Sequence, residues 1–101
     1  AVLPDGISGD DLRTISLDLR NRFATSVIAL ISSAAGKSVL VVTASDSARA
    51  LGAKSGALVK IGSAVLGGGG GGKDDFAQGG GTDASKAGEA LTAITAAVAA
   101  L

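Results

Sequence analysis

A glycine-rich stretch from Gly67 to Gly81 constrains this chain more than any other feature. It reads Gly-Gly-Gly-Gly-Gly-Gly-Lys-Asp-Asp-Phe-Ala-Gln-Gly-Gly-Gly and holds most of the 16 glycines of the protein. Glycine lacks a Cβ, so another backbone or a ligand can approach its main chain directly, although ordering it costs more entropy than ordering any other residue. The stretch therefore predicts that something packs very close to this backbone. The alternative is a flexible linker, which would not need the lysine, aspartates, phenylalanine and glutamine inside it.

Length and composition predict one small domain with an aliphatic core. The chain has 101 residues, which suits a single domain over 1–101, and we expect it to be a fragment of a longer chain because it begins with Ala1. Its residues are 47% hydrophobic but only 2% aromatic, so Ala, Val, Leu and Ile must fill the core. The sequence contains no Cys, His, Met, Trp or Tyr. This composition excludes disulfides, a Cys/His zinc site and His-based or Cys-based catalysis within this chain.

The charges balance overall but are unevenly distributed. Nine Lys and Arg residues match nine Asp and Glu residues, so net charge predicts neither a nucleic-acid nor a membrane partner. Without an apolar run of about 18 residues or a signal peptide, we expect a soluble, cytoplasmic protein with no membrane contact. From Ser47 to Lys73 every charged residue is basic, and these residues are Arg49, Lys54, Lys60 and Lys73.

The first half of the chain predicts a helix followed by two strands. Ser8 with Asp11 forms a capping-box pattern, and a helical apolar stripe follows at Leu12, Ile15, Leu19 and Phe23. Two nearly continuous apolar runs, Thr25–Ile31 and Ser38–Thr43, are typical of buried strands, and the short segment between them predicts an antiparallel hairpin. After the second strand, Ser45–Ser47 predicts a turn.

The second half predicts a helix, a glycine loop and a last helix. Helical spacing over Ser55–Leu66 uses Leu58, Ile61 and Val65, and Gly62 beside this stripe indicates close packing on the sheet. The last helix, capped by Asp83 or Ser85, carries its own stripe at Leu91, Ile94, Val98 and Leu101. This stripe fits a helix packed on the sheet or a short coiled coil. The order of elements predicts an α+β fold with a small mixed sheet.

The glycine stretch resembles several known motifs, and each resemblance is meaningful only if the residues that its chemistry requires are present. Gly67, Gly72 and Lys73 match the phosphate-binding pattern G-x-x-x-x-G-K, but the next residue is Asp74 where that motif needs Ser or Thr. A helix also precedes these glycines, whereas the motif follows a strand. Asp74 with Asp75 is more typical of a solvated turn than of an acid pair or a cation site. Successive glycine N–H groups beside Lys73 could form an anion-binding nest, so a phosphate contact is a reasonable hypothesis.

The segment from Gly70 to Asp83 resembles a known family. It reads Gly-Gly-Gly-Lys-Asp-Asp-Phe-Ala-Gln-Gly-Gly-Gly-Thr-Asp, which is similar to the glycine-rich motif of the C-terminal DHHA1 or C-Ala domain of bacterial alanyl-tRNA synthetases. The resemblance extends in pattern over nearly the whole chain. Phosphoesterases of the DHH family share this fold, but their glycine loop usually carries a His where this chain has Lys73.

The resemblance implies a tRNA-binding accessory domain that grips the tRNA elbow and links aminoacylation with editing. Its implied partners are tRNA(Ala) and other domains of the same synthetase, with ATP and zinc bound only by domains outside this chain and no catalytic residue within it. We expect phosphate contacts from the basic residues and close approach at the glycines. The predicted nucleic-acid-binding residues are Arg49, Lys54, Lys60, Gly70, Gly71, Gly72, Lys73, Gln78, Gly79 and Gly80.

Two other functions stay open at this point. One is the substrate-binding end of a DHH-family phosphoesterase, which a His in the glycine loop would favour. The other is a structural domain for subunit association, which would make the protein a homo-oligomer.

Overall fold

The computed structural model describes residues 6–7, 9–22, 27–34 and 37–99. Within these ranges no helix has the length and apolar character needed to cross a membrane. The described chain forms four α-helices and four strands. In chain order these are α1 (Gly9–Arg22), β1 (Val27–Ala34), β2 (Lys37–Ala44), α2 (Asp46–Ala50), α3 (Ser55–Val65), β3 (Gly69–Gly72), β4 (Phe76–Gly81) and α4 (Ala87–Ala99), with a 3₁₀ turn at Ala84–Lys86 before α4.

The four strands form one sheet in the order β1-β2-β4-β3, and each of its three pairings is antiparallel. β1 and β2 form a hairpin whose register joins Val27 to Ala44 and Ala34 to Lys37. β4 then lies beside β2, with Thr43 opposite Phe76, and β3 is the edge strand next to β4. The α+β class is confirmed, but the sheet is antiparallel where we expect a mixed one.

Successive residues of a strand point to opposite sides of the sheet, and helices cover both sides. On one face α1 packs Leu12 against Leu30 of β1 and Val41 of β2, with Phe76 of β4 at the border. The other face carries α3 and α4 over a larger core. That core contains Ile31, Leu40, Val42, Leu58, Val59, Leu66, Ala77, Ala87, Ala90 and Ile94. Among the described residues, both cores are aliphatic apart from Phe76 at the first border.

The predicted hairpin and the helix before the glycines are confirmed. Both strands begin or end a few residues from the expected bounds, at Val27–Ala34 and Lys37–Ala44, and α3 covers almost all of the predicted segment. Gly62 also packs closely: a Cβ there would lie 2.7 Å from Leu40 Cδ2 and 2.8 Å from Ile94 Cδ1. The predicted residues Ser8, Phe23, Thr25 and Leu101 lie outside the described residues.

Some details of the predicted helices are wrong. Ile15 and Ile61 point outward, with 36% and 39% of their surface exposed, because Ser16 in α1 and Gly62 with Ser63 in α3 face the sheet. Small residues at these positions let the helices approach the strands closely, which the apolar stripe alone does not indicate. α4 packs on the sheet as expected, through Ile94.

The segment Ser45–Ser47 is the beginning of a helix rather than a turn. The Ser45 side chain caps α2 by accepting a hydrogen bond from the Ala48 N–H at 3.3 Å. Capping residues and turn residues are drawn from the same polar types, since both bond a nearby backbone N–H group. The single helical turn that follows, over Asp46–Ala50, is too short for a periodic signal.

Candidate nucleic-acid interface

The glycine stretch forms a β-hairpin, not a loop, and the two faces of this hairpin differ. On the face covered by α3, a Cβ on Gly79 would lie 2.3 Å from Ser63 Oγ, and a Cβ on Gly70 would lie 2.3 Å from Gly79 Cα and 2.9 Å from Val59 Cγ1. Side chains are therefore excluded here by α3 and by the neighbouring strand. The close approach predicted from the sequence is made on this face by the protein itself, and RNA contact at Gly70 and Gly79 stays a prediction.

Two further predicted glycines are enclosed within the sheet. A Cβ on Gly80 would lie 2.1 Å from the Ser38 carbonyl oxygen of β2, and a Cβ on Gly72 would lie 2.6 Å from Ala77 Cα of β4. Backbone atoms cannot move aside as a flexible side chain can, so these positions admit glycine alone without rearrangement. The tight spacing between strands is a second reason why this hairpin is built from glycine.

The opposite face of the hairpin is open. Within the described residues, a Cβ on Gly69 or Gly71 would meet no atom within 4 Å. Gln78 lies directly across from Gly71 in the β3–β4 register and is exposed. Its amide reaches toward the start of α1, where a Cβ on Gly9 would lie 2.7 Å from Gln78 Nε2. We call Gly69, Gly71 and Gln78 the open glycine face, a stretch of bare backbone with one amide side chain at its side.

The tip of the hairpin is anchored through its carbonyl groups. The Ser55 N–H donates to the Asp74 carbonyl at 3.0 Å, and the Gly56 N–H donates to the Lys73 carbonyl at 3.2 Å. The Asp75 carbonyl accepts from the Thr43 hydroxyl at 2.7 Å and from the Ala44 N–H at 3.2 Å. These contacts fix the tip to α3 and β2. The first N–H groups of α3, which at a free helix end could bind an anion, donate here to backbone carbonyls of the tip.

The predicted anion-binding nest is wrong for Gly69–Gly72. A nest needs successive N–H groups that converge on one point, whereas β3 is extended and its N–H groups alternate in direction along the strand. The N–H groups of β3 that point toward β4 pair with that strand. At the tip, the Lys73 N–H donates to the Phe76 carbonyl at 2.9 Å. Any anion bound here must therefore be held by side chains rather than by a glycine cradle.

The four predicted cations do not share one surface. Lys73 lies exposed at the hairpin tip. Lys54 directly precedes α3 and Lys60 lies on it, both exposed, and α3 covers the sheet face opposite the open glycine face. Arg49 on α2 forms an ion pair with Asp46, and its Nε donates to the Ser45 carbonyl at 3.4 Å. Of this set, Lys73 is the cation on the glycine hairpin itself, and phosphate contacts from the other three stay predictions.

Sequence reasoning missed two arginines of α1 that border the glycine hairpin. The Arg13 guanidinium lies over the Phe76 ring, 5.0 Å from its centroid. Arg20 Nη1 donates to Thr43 Oγ1 at 3.0 Å and to the Asp75 carbonyl at 3.4 Å. Their seven-residue spacing, nearly two helical turns, is the signal that could have grouped them.

An open polar cavity of about 590 Å³ lies at the Arg20 end of this border. It is lined by Arg20, Asn21, Ser45, Asp46, Ser47, Arg49 and Asp75. Among the described residues, no group of three or more carboxylate, His or Cys side chains is placed to hold a metal ion.

Comparison with known proteins identifies the family and supports the fold. A family model described as the DHHA1 domain matches residues 1–100. The chain belongs to the DHHA1 domain family. The solved C-Ala domain from Aquifex aeolicus alanyl-tRNA synthetase is similar in fold, with a TM-score of 0.83 and 29% sequence identity over 91% of this chain and 81% of that chain.

Sequence relatives of this DHHA1 domain are alanine–tRNA ligases. The ligase of a Nocardioides species is 46% identical over 97 residues, which cover 93% of this chain and 11% of the ligase. The ligase of Paenarthrobacter aurescens is 51% identical over 92 residues, which cover 89% of this chain and 10% of the ligase. The chain thus spans about a tenth of the length of these relatives. The resemblance to the C-terminal domain of bacterial alanyl-tRNA synthetases is confirmed.

Proposed function

We propose that this DHHA1 domain binds tRNA through its open glycine face. One observation supports the proposal most directly: Gly69 and Gly71 lack side chains although no atom in the described part of the chain occupies the space that a Cβ would take. Glycine at such a position weakens a strand without a structural gain, since its unfolded form has more entropy to lose. Close approach of another molecule to this surface would explain why these two residues are glycine, whereas packing within the fold does not.

The chemistry of this face suits recognition of RNA shape. Bare peptide backbone offers a flat surface, and Lys73 places a positive charge at one end of it. The domain has only two aromatic residues, so it cannot stack a long row of unpaired bases. Contacts to phosphates and sugars position an RNA without reading its sequence, and folded RNA is recognised largely in this way.

The wider role proposed here is the one that the resemblance of the glycine motif to alanyl-tRNA synthetases implies. In this role the domain grips the elbow of tRNA(Ala) and brings the aminoacylation and editing centres of an alanine–tRNA ligase onto one tRNA. The domain itself is not catalytic, and it works in the cytoplasm together with other domains of the same synthetase. ATP and zinc belong to those other domains, and association into a homo-oligomer is compatible with this role.

Binding of tRNA by the 101-residue chain tests the proposal. Fluorescence anisotropy should show binding of tRNA(Ala) that weakens as salt is raised, because phosphate contacts release counterions. Gly71→Leu should weaken binding by about tenfold, since a bulky side chain blocks close approach, and a loss of that size corresponds to a single good contact. The matched control Ala57→Leu places the same side chain on the exposed side of α3 and should leave affinity unchanged. Equal affinities for all three proteins would contradict the proposal.

A further inference from the structure

Two of the three arginines of α1 lie on the side of the helix that faces the glycine hairpin. Arg13 and Arg20 are seven residues apart, so they lie on the same side, nearly two turns from each other. Their contacts confirm which side this is. Arg13 lies over the ring of Phe76, the first residue of β4, and Arg20 bonds the carbonyl of Asp75, the residue before it.

Two of the three acids of α1 lie on the other side of the helix. Asp11 and Asp18 are also seven residues apart, and each precedes one of the two arginines by two residues, which is about 200° around the helix. Arg22 also belongs to this second side, where its Nη2 lies 3.1 Å from Asp18 Oδ2 in an exposed ion pair. The third acid, Asp10, lies one turn before Arg13, so the side of α1 beside the hairpin carries two arginines and one aspartate and is net positive, although the helix as a whole is neutral.

We propose that Arg13 and Arg20 bind the phosphodiester backbone of the RNA that lies on the open glycine face. This inference rests on the proposed function and names the part of the RNA that the domain holds. The bare glycines let an RNA strand lie close to the sheet. α1, which carries the two arginines, packs on the same face of the sheet. An arginine presents a planar set of N–H donors that matches the oxygens of a phosphate, so it is better suited to this contact than a lysine.

Both arginines are already oriented before RNA arrives. Stacking on Phe76 holds the Arg13 guanidinium by its face, so the N–H groups at its edge stay available for an acceptor. Arg20 is held through a single nitrogen, Nη1, by Thr43 and Asp75, and it lines the cavity described above. Ordering a long side chain in advance reduces the entropy lost on binding, so both residues are prepared for a phosphate contact.

The two arginines are not equivalent, because Arg13 is exposed whereas Arg20 is half-buried and already bonded to Thr43 and Asp75. Arg13 should therefore contribute more to affinity, although Asp10 lies one turn before it on α1. Asp46 and Asp75 line the cavity together with Arg20, but Asp46 forms an ion pair with Arg49, so Asp75 is the acid that opposes an approaching phosphate there. Replacing Asp75 by Asn should consequently raise the affinity for RNA, since it removes a repulsive charge and leaves the backbone carbonyl that anchors the tip.

Three charge-matched variants test this inference: Arg13→Gln, Arg20→Gln and, as a control on the far side of the same helix, Arg22→Gln. Affinity for tRNA(Ala) is measured by fluorescence anisotropy at several salt concentrations. Arg13→Gln should weaken binding by about tenfold and reduce the slope of log affinity against log salt by roughly 0.7 to 0.9, the share of one phosphate contact. Arg20→Gln should have a smaller effect in the same direction, and Arg22→Gln should change affinity by less than about twofold.

The outcomes separate this inference from the proposed function. If the unmodified chain binds no tRNA, the proposed function fails first. If it binds, and Gly71→Leu weakens binding while Arg13→Gln and Arg22→Gln have equal effects, only the arginine contacts are excluded.

Arg20→Gln removes the bond to Thr43, so Thr43→Val serves as its control because it loses the same bond and keeps the charge. Equal losses of affinity in Arg20→Gln and Thr43→Val would assign Arg20 to structure rather than to RNA.

Discussion

The two hairpins of this small sheet are built in opposite ways. In β1 and β2 half of the residues are Val, Leu or Ile, and Ile31, Leu40 and Val42 fill the space under α3 and α4. In β3 and β4 most residues have no side chain, and α3 packs directly on the backbone of Gly70 and Gly79. The first hairpin holds the fold together through buried side chains. The second brings a helix close on one face and leaves bare backbone on the other.

This comparison explains why the glycines are not interchangeable. Gly70, Gly72, Gly79 and Gly80 each face atoms that a Cβ would overlap, so the fold itself requires them. Gly69 and Gly71 face open space, so the fold does not. Glycines that look identical in the sequence therefore divide into a structural group and a group with a proposed role in binding.

The largest effect is expected from removing a side chain in the first hairpin. Leu40→Ala should lower the free energy of unfolding by about 4 kcal/mol, because Leu40 is fully buried between the sheet and the helices and its loss leaves a cavity. Urea unfolding followed by circular dichroism measures this change. Lys37→Ala, at an exposed position of the same strand, is the control and should change stability by no more than about 0.5 kcal/mol.

Adding a side chain to the second hairpin should be nearly as harmful. Gly79→Val should cost about 3 kcal/mol, because its Cβ would overlap Ser63 Oγ and leave α3 no room. Gly71→Val in the neighbouring strand should leave stability within about 0.5 kcal/mol of the original or raise it slightly, since the space is open. If both valine variants had the same melting temperature, the two faces of the hairpin would not differ as described.

A smaller effect is expected where the two hairpins are joined. Thr43→Val removes the hydroxyl that donates to the Asp75 carbonyl and accepts from Arg20, so it should cost about 1.5 kcal/mol. Thr14→Val is a suitable control because that hydroxyl is exposed and bonds within its own helix. A loss of stability no greater in Thr43→Val than in Thr14→Val would mean that the tip of the glycine hairpin is not anchored through this hydroxyl.

The smallest effect has the opposite sign. Ser63 Oγ is buried between α3 and the glycine hairpin without a hydrogen-bond partner, so Ser63→Ala should raise the free energy of unfolding by up to about 1 kcal/mol. Ser38 in the first hairpin is also buried, but its hydroxyl lies 2.9 Å from that of Ser33. Ser38→Ala should therefore cost about 1 kcal/mol by chemical denaturation. If both alanine variants lost stability, the account of the Ser63 site would be wrong.

The sequence predicts the first hairpin well and the second poorly, and the reason is physical. Runs of Val, Ile and Leu are typical of β-strands, so β1 and β2 can be predicted from the sequence. Glycine carries no such signal, and Gly69–Gly72 is a strand only because β4 and α3 hold it. The family is readable from the motif around Lys73 and Gln78, whereas the difference between Gly70 and Gly71 depends on which face α3 covers. Arg13 and Arg20 were missed for the same reason, since their place beside β4 depends on how α1 crosses the sheet.

The central claim is that the open glycine face binds tRNA while the opposite face of the hairpin serves the fold. An NMR titration of the ¹⁵N-labelled chain with tRNA(Ala) tests it most directly, because each backbone amide reports separately. The account predicts that the amide signals of Gly69, Gly71 and Gln78 shift or broaden first, whereas those of Ala57 and Ala64 on the outer side of α3 change little. Early changes confined to Ala57 and Ala64, with the glycine hairpin unaffected, would contradict the account.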